Sequence, residues 1–116
     1  MATVRITDLT LAAIIGTNAW ERTTKQKVTI NVTFEYNSAK AAKSDNIAYA
    51  VDYKIITKKI IDRVTRSRFF LLERLTNMVL DTVMENKTIR RATVRIDKPK
   101  ALRFAKSVSV ELSAKR

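Results

Sequence analysis

Lys27-Val28-Thr29-Ile30-Asn31-Val32-Thr33-Phe34-Glu35-Tyr36 alternates polar and apolar residues without a break. A period of two puts Val28, Ile30, Val32, Phe34 and Tyr36 on one face of a strand and Thr29, Asn31, Thr33 and Glu35 on the other. A strand of this kind sits in a sheet with one face in a core and the other face wet. The preceding stretch has the same character: Val4, Ile6, Leu9, Leu11, Ala13 and Ile15 are its apolar positions. Their phase slips at Thr7-Asp8, which predicts a β-bulge there. Gly16 opens the loop from Gly16 to Thr24, so the two strands read as a long antiparallel hairpin.

Downstream, a polar connection runs from Asn37 to about Ala50. A helix is expected from Asp52, a plausible N-cap, to Arg66, with Ile56, Ile60 and Val64 at four-residue spacing. A second helix begins near Phe70 and presents Leu71, Leu72, Leu75, Met78, Val79 and Val83. It ends at about Glu85-Asn86, where Asn can take a left-handed cap. Strands follow around Ala92, Val94 and Ile96 and around Val108, Val110 and Leu112. The order is ββααββ, an α+β fold with two helices on one face of an antiparallel sheet. The other sheet face carries Thr, Ser, Asn, Arg and Glu, which suits bulk water or a wet channel shared by several subunits. Open edges in so small a sheet favour assembly.

The 116 residues, 46% hydrophobic and 29% charged, suit one folded domain spanning residues 1–116. Neither cysteine nor histidine occurs. Disulfides and thiolate chemistry are therefore excluded, and acid–base work falls to Lys, Tyr, Asp or Glu. No carboxylate cluster suggests a metal site. No signal peptide and no apolar run of bilayer length is visible, which fits a cytoplasmic protein without membrane contact. The 23 basic and 11 acidic residues give a net charge of +12, an attraction for anions in general. The charges are scattered, and the polar sheet face lacks the aromatics that would stack bases. An RNA-binding module is thus the weaker alternative, and no nucleic-acid partner is expected.

Chemistry concentrates at a few element ends. The strand Arg91–Ile96 runs into Asp97-Lys98-Pro99-Lys100, and the only proline should stop it there. That holds Lys98 at a strand end; a solvated lysine reads the same. Glu21 sits in the first loop beside the only tryptophan, Trp20. Desolvation against the indole would favour its neutral form; the plainer reading is a surface loop glutamate beside a packing tryptophan. Tyr53 opens the first helix, as a site residue or a core aromatic. Glu73 lies in the first turn of the second helix, partly buried among leucines. A carboxylate there can accept two hydrogen bonds from an amino-imino edge, or can pair with Asn77.

Together these stretches resemble the dihydroneopterin aldolase and dihydroneopterin triphosphate epimerase family. The resemblance rests on Ile15-Gly16, Trp20-Glu21, Gln26-Lys27, Lys40 to Asp45, Tyr53, Arg68 to Arg74, Asp97-Lys98-Pro99 and Ala101 to Ala105. It implies the tunnelling fold (T-fold), in which four subunits join their sheets into a barrel and two rings stack into a homo-octamer. Active sites then lie between subunits. The resemblance places the pterin-anchoring glutamate at Glu73 beside the backbone of Leu72. It places the catalytic lysine at Lys98, the active-site tyrosine at Tyr53 and the loop glutamate at Glu21. It implies no metal, no Schiff base and no cofactor.

The implied reaction is cleavage of the pterin side chain, giving 6-hydroxymethyl-7,8-dihydropterin and glycolaldehyde. Re-addition on the other face gives the 2′-epimer through the same intermediate. The Trp20-Glu21 loop resembles the aldolases, and the segment from Tyr53 to Ser113 resembles the triphosphate epimerases. Aldolase is the first expectation and epimerase the alternative. Lys100 and Arg103, close to Lys98 in sequence, are candidate phosphate contacts, or solvated loop charges.

Overall fold

The computed structural model describes residues 1–116. Strand β1 (Ala2–Ile15) pairs antiparallel with β2 (Gln26–Tyr36), from Ala2↔Tyr36 to Ala13↔Gln26. The register shifts between Ile6 and Leu9, at the expected bulge. Asp8 takes φ 55° there, and Asn31 from β2 secures it. The Asn31 side-chain oxygen accepts from the Asp8 N–H at 3.0 Å, and its amide donates to the Asp8 carboxylate at 3.2 Å. The extra residue puts Leu9, Leu11, Ala13 and Ile15 on the same face as Val4 and Ile6.

The connection after β2 is not wholly irregular. It holds a short helix, α1 (Ala39–Ser44), and a 3₁₀ turn (Ile47–Tyr49). No residue of α1 is buried, so it leaves no apolar stripe by which the sequence would reveal it. Helix α2 (Tyr53–Arg66) starts as expected, with the Asp52 side chain accepting from the Lys54 N–H at 2.9 Å. Its buried stripe is Ile56, Ile60 and Val64.

Helix α3 (Leu72–Met84) starts two residues later than expected, because Arg68–Phe69 forms a short strand, β3. This strand runs parallel to the end of β1, pairing Ile14↔Arg68 and Ile15↔Phe69. Asn86 closes α3 without a left-handed residue; its side chain instead accepts from the Thr88 N–H at 3.0 Å. Strands β4 (Ile89–Pro99) and β5 (Ser107–Lys115) complete a five-stranded sheet of order β3-β1-β2-β4-β5. As expected, Pro99 is the last residue of β4.

Helix α2 packs on β1, and α3 on β4 and β5. Their stripes close over Val28, Ile30, Val32, Phe34, Ala92, Val94 and Ile96, all fully buried. Each such side chain contributes about 1.5–3 kcal/mol, Ala92 less. The fold is α+β, with a curled sheet covered on one face. The whole measures 52 × 26 × 21 Å, with a radius of gyration of 15.5 Å. A compact chain of this length would have a radius of about 13 Å, so the sheet extends beyond its own helical cover.

Candidate active site

The alternation that builds the core also supplies the site. Ala92, Val94 and Ile96 point under the helices, and Lys98 is the next residue in that column. On β2, Gln26 stands in the same relation to Val28 and Ile30. Each inward column therefore ends in a polar side chain, and both polar ends meet one carboxylate.

That carboxylate is Glu21, 4% exposed, on the 3₁₀ turn Ala19–Arg22. Its Oε2 accepts from Lys98 Nζ and, at 2.9 Å, from Gln26 Nε2. Its Oε1 accepts from the backbone N–H of Asn18 at 3.2 Å, which turns the glutamate back on its own cap. Gln26 is held in turn, since Nε2 also donates to the Ile15 carbonyl at 2.7 Å. Gly16 makes room. Any Cβ there would lie 2.2 Å from the Glu21 carboxyl carbon, and Gly16 takes φ +129°, which side chains rarely adopt.

The electrostatics reverse the expectation drawn from the tryptophan. Glu21 is buried, but the Lys98 hydrogen bond outweighs desolvation, and Gln26 and Asn18 add to it. Its carboxyl is held down at about 2, so the group is an anion at neutral pH. Trp20 does not cover it; the indole is 58% exposed.

The other expected residues fall in two places. Leu72 and Glu73 form the start of α3, directly after β3. The Phe69 carbonyl of β3 accepts from the Gly16 N–H at 3.3 Å. The beginning of α3 and the Glu21 carboxylate thus flank the same glycine. Glu73 is exposed, not partly buried, because Leu71 is itself 55% exposed and Leu72 only half-buried. It makes no bond with Asn77, whose amide donates to Asp81 at 3.3 Å.

Tyr53 is not a core aromatic; it is 55% exposed. It opens α2, whose other end leads straight into β3. A helix of that length separates its ends by about 20 Å. One chain therefore brings Glu21, Lys98 and the start of α3 to one end of the sheet and leaves Tyr53 far from them. Lys100 and Arg103 lie exposed on the β4–β5 turn just beyond Lys98. Lys100 takes φ 62°. In the same turn the Arg103 guanidinium lies 5.4 Å from the Phe104 ring.

A family model for FolB, dihydroneopterin aldolase, matches residues 4–113. The chain belongs to this family. A dihydroneopterin triphosphate 2′-epimerase of Pseudomonas aeruginosa is 48% identical to it over 100% of this chain and 94% of that protein. A dihydroneopterin aldolase of Haemophilus influenzae is 32% identical over 95% of this chain and 93% of that one. The crystal structure of Escherichia coli dihydroneopterin aldolase in complex with neopterin superposes with a TM-score of 0.93 at 29% identity. It covers 98% of this chain and 99% of the other. The subunit architecture expected of a T-fold is thus that of this chain.

Two residues of the site carry no role in the sequence reading. Gln26 continues an inward column, visible once the alternation of β2 is followed back beyond Val28. Gly16 reads from sequence only as a loop opener. That it yields space to a carboxylate appears only in three dimensions.

Proposed function

We propose that this FolB-family protein breaks and remakes the C1′–C2′ bond of a dihydropterin side chain. Its main reaction is 2′-epimerisation of 7,8-dihydroneopterin triphosphate, and its second is aldol cleavage of 7,8-dihydroneopterin. The observation that carries the reading is the Lys98–Glu21 pair, out of water at the end of the sheet where α3 begins. The resemblance alone put cleavage first. The order is reversed here because the relative named an epimerase shares more of this sequence than the one named an aldolase.

Glu73, with the Leu72 backbone beside it, receives the amino-imino edge of the ring. Because Glu73 is exposed at a helix start, it is free to accept two parallel donors. The 2′-hydroxyl loses its proton, the C1′–C2′ pair moves into the ring, and N5 takes up a proton. Lys98 serves as proton donor and acceptor, with Glu21 fixing its ammonium, and Tyr53 assists. An aldehyde fragment results. If it leaves, the reaction is cleavage; if it turns over and re-adds, C2′ is inverted. Lys100 and Arg103 suit a tether that keeps a triphosphorylated aldehyde in place, which favours inversion.

Tyr53 reaches such a site only from another copy of the chain. The edges of β5 and of β1 before Ile14 are unpaired. Trp20, Phe70, Leu71 and Tyr53 are exposed apolar side chains. These features support a ring of four subunits, doubled to an octamer, with sites between neighbours. Thr29, Asn31, Thr33, Thr93, Arg95 and Ser113 would then line its tunnel. The protein acts in the cytoplasm as a single catalytic domain.

The test is incubation with dihydroneopterin and, separately, its triphosphate, followed by chiral separation and glycolaldehyde detection. The triphosphate should yield mainly the 2′-inverted isomer, and the free diol should release glycolaldehyde. Failure to convert either compound would refute the assignment.

A further inference from the structure

Arg22 follows Glu21 on the 3₁₀ turn, yet its cation meets no carboxylate. The guanidinium crosses to the segment that leads into α3. Nη1 donates to the Gly16 carbonyl at 3.0 Å and to the Phe69 carbonyl at 2.9 Å. Nη2 donates to the Arg68 carbonyl. The same group lies 4.0 Å over the Phe70 ring. The tie is returned, because Arg68 Nη2 donates to the Arg22 carbonyl at 2.8 Å. Without these bonds β3 is a poor anchor: it is two residues long and pairs with β1 only through Arg68 and Phe69.

Resting on the reading above, we infer that Arg22 is a positioning residue. It fixes the catalytic pair Glu21–Lys98 relative to the ring-anchoring start of α3. One of the two groups it joins is its own neighbour, Glu21. The other, Glu73, lies in the first turn of α3, which begins two residues after Phe70, the ring Arg22 covers. A planar fork of donors is needed to span three carbonyls while stacking on an aromatic face; a lysine offers only a point charge. What Arg22 controls is distance. Ring anchoring alone needs only α3, and proton transfer alone needs only Lys98. Turnover needs the side chain of an anchored ring to arrive at Lys98, and displacement by about 1 Å costs as much as 100-fold in rate.

The test uses Arg22→Gln and Arg22→Lys in the full chain, with guanine as a ring-only probe carrying the amino-imino edge. Arg22→Gln should bind guanine within about threefold of wild type and keep the shape of the kcat–pH profile, while kcat falls roughly ten- to hundredfold. Arg22→Lys should not restore kcat. Full recovery by lysine, or a displaced pH profile, would make charge the agent and overturn the inference. Unchanged kcat in Arg22→Gln, or a parallel loss of guanine binding and folded protein, would overturn it too. A wild-type protein that neither binds guanine nor converts dihydropterins would instead refute the underlying functional reading, and this inference with it.

Discussion

Gly16→Ala tests how the site is built, because one methyl group should act through two separable effects. The first is backbone strain. At φ +129° an alanine costs about 1–3 kcal/mol whatever surrounds it. The second is displacement of Glu21, whose carboxyl atoms lie 2.2–2.3 Å from the new Cβ. Moving the carboxylate breaks its bonds to Lys98, Gln26 and Asn18. Those bonds hold its pKa at about 2 against an ordinary 4.5, which corresponds to about 3 kcal/mol at neutral pH. Gly16→Ala should therefore lose about 4–6 kcal/mol in urea unfolding at pH 7. In a Glu21→Ala background the same change should cost only the strain, about 1–3 kcal/mol. The sign of the pH dependence follows from the lowered pKa. The Glu21 contribution is complete above about 4.5 and drains away as pH falls towards 2. The gap between wild type and Gly16→Ala should narrow over that range. An equal cost in both backgrounds, or a gap indifferent to acid, would refute the reasoning.

Other substitutions separate chemistry from assembly. Lys98→Ala should leave the assembly unchanged in size and lower kcat by roughly 10²–10⁴-fold; near-normal turnover would remove Lys98 from the reaction. Glu73→Gln should weaken binding of the pterin ring by roughly tenfold or more, as loss of a charge-assisted bond does. Its melting temperature should not move, because the side chain is exposed, and unchanged affinity would take Glu73 out of the site. Lys100→Ala combined with Arg103→Ala should raise KM for the triphosphate and not for the free diol. An equal rise for both substrates would show that these cations hold the turn and not the phosphates.

The elements legible in the sequence were those whose periodicity was strong enough to show their face. The alternation in β2 and the spacing of Ile56, Ile60 and Val64 recur as buried columns. Even the bulge at Thr7-Asp8 was visible as a phase slip. Helix α1 was not, since it buries nothing. Strand β3 was not, since two residues have no period and it is joined to the sheet by long-range bonds, including those of Arg22. The state of Glu21 was misjudged for a related reason. Its neighbour in sequence, Trp20, suggested desolvation, whereas its partner Lys98 lies 77 residues away and decides its charge. The neighbour in sequence neither covers the group nor supplies its counter-ion. The exposure of Glu73 has the same origin, because Leu71 and Phe70 face outward and not around it.

Those outward residues bear on the separation of Tyr53 from Lys98. About 20 Å of helix stands between Tyr53 and the end of the sheet where Lys98 meets Glu21. If each site draws Lys98 from one chain and Tyr53 from a neighbour, two inactive proteins should repair one another. Lys98→Ala and Tyr53→Phe would each be impaired alone. Mixed in equal amounts, dissociated and reassembled, they should regain activity, because a subunit with intact Lys98 can sit beside one with intact Tyr53. In a ring assembled at random, about a quarter of the sites join two intact halves. Recovery should approach that fraction of the wild-type rate. Mixing without dissociation should restore nothing. If the reassembled mixture stays at the average of its two parents, Tyr53 does not act across a subunit boundary. The solution mass distinguishes the remaining cases: a monomer would leave Tyr53 without any route to Lys98.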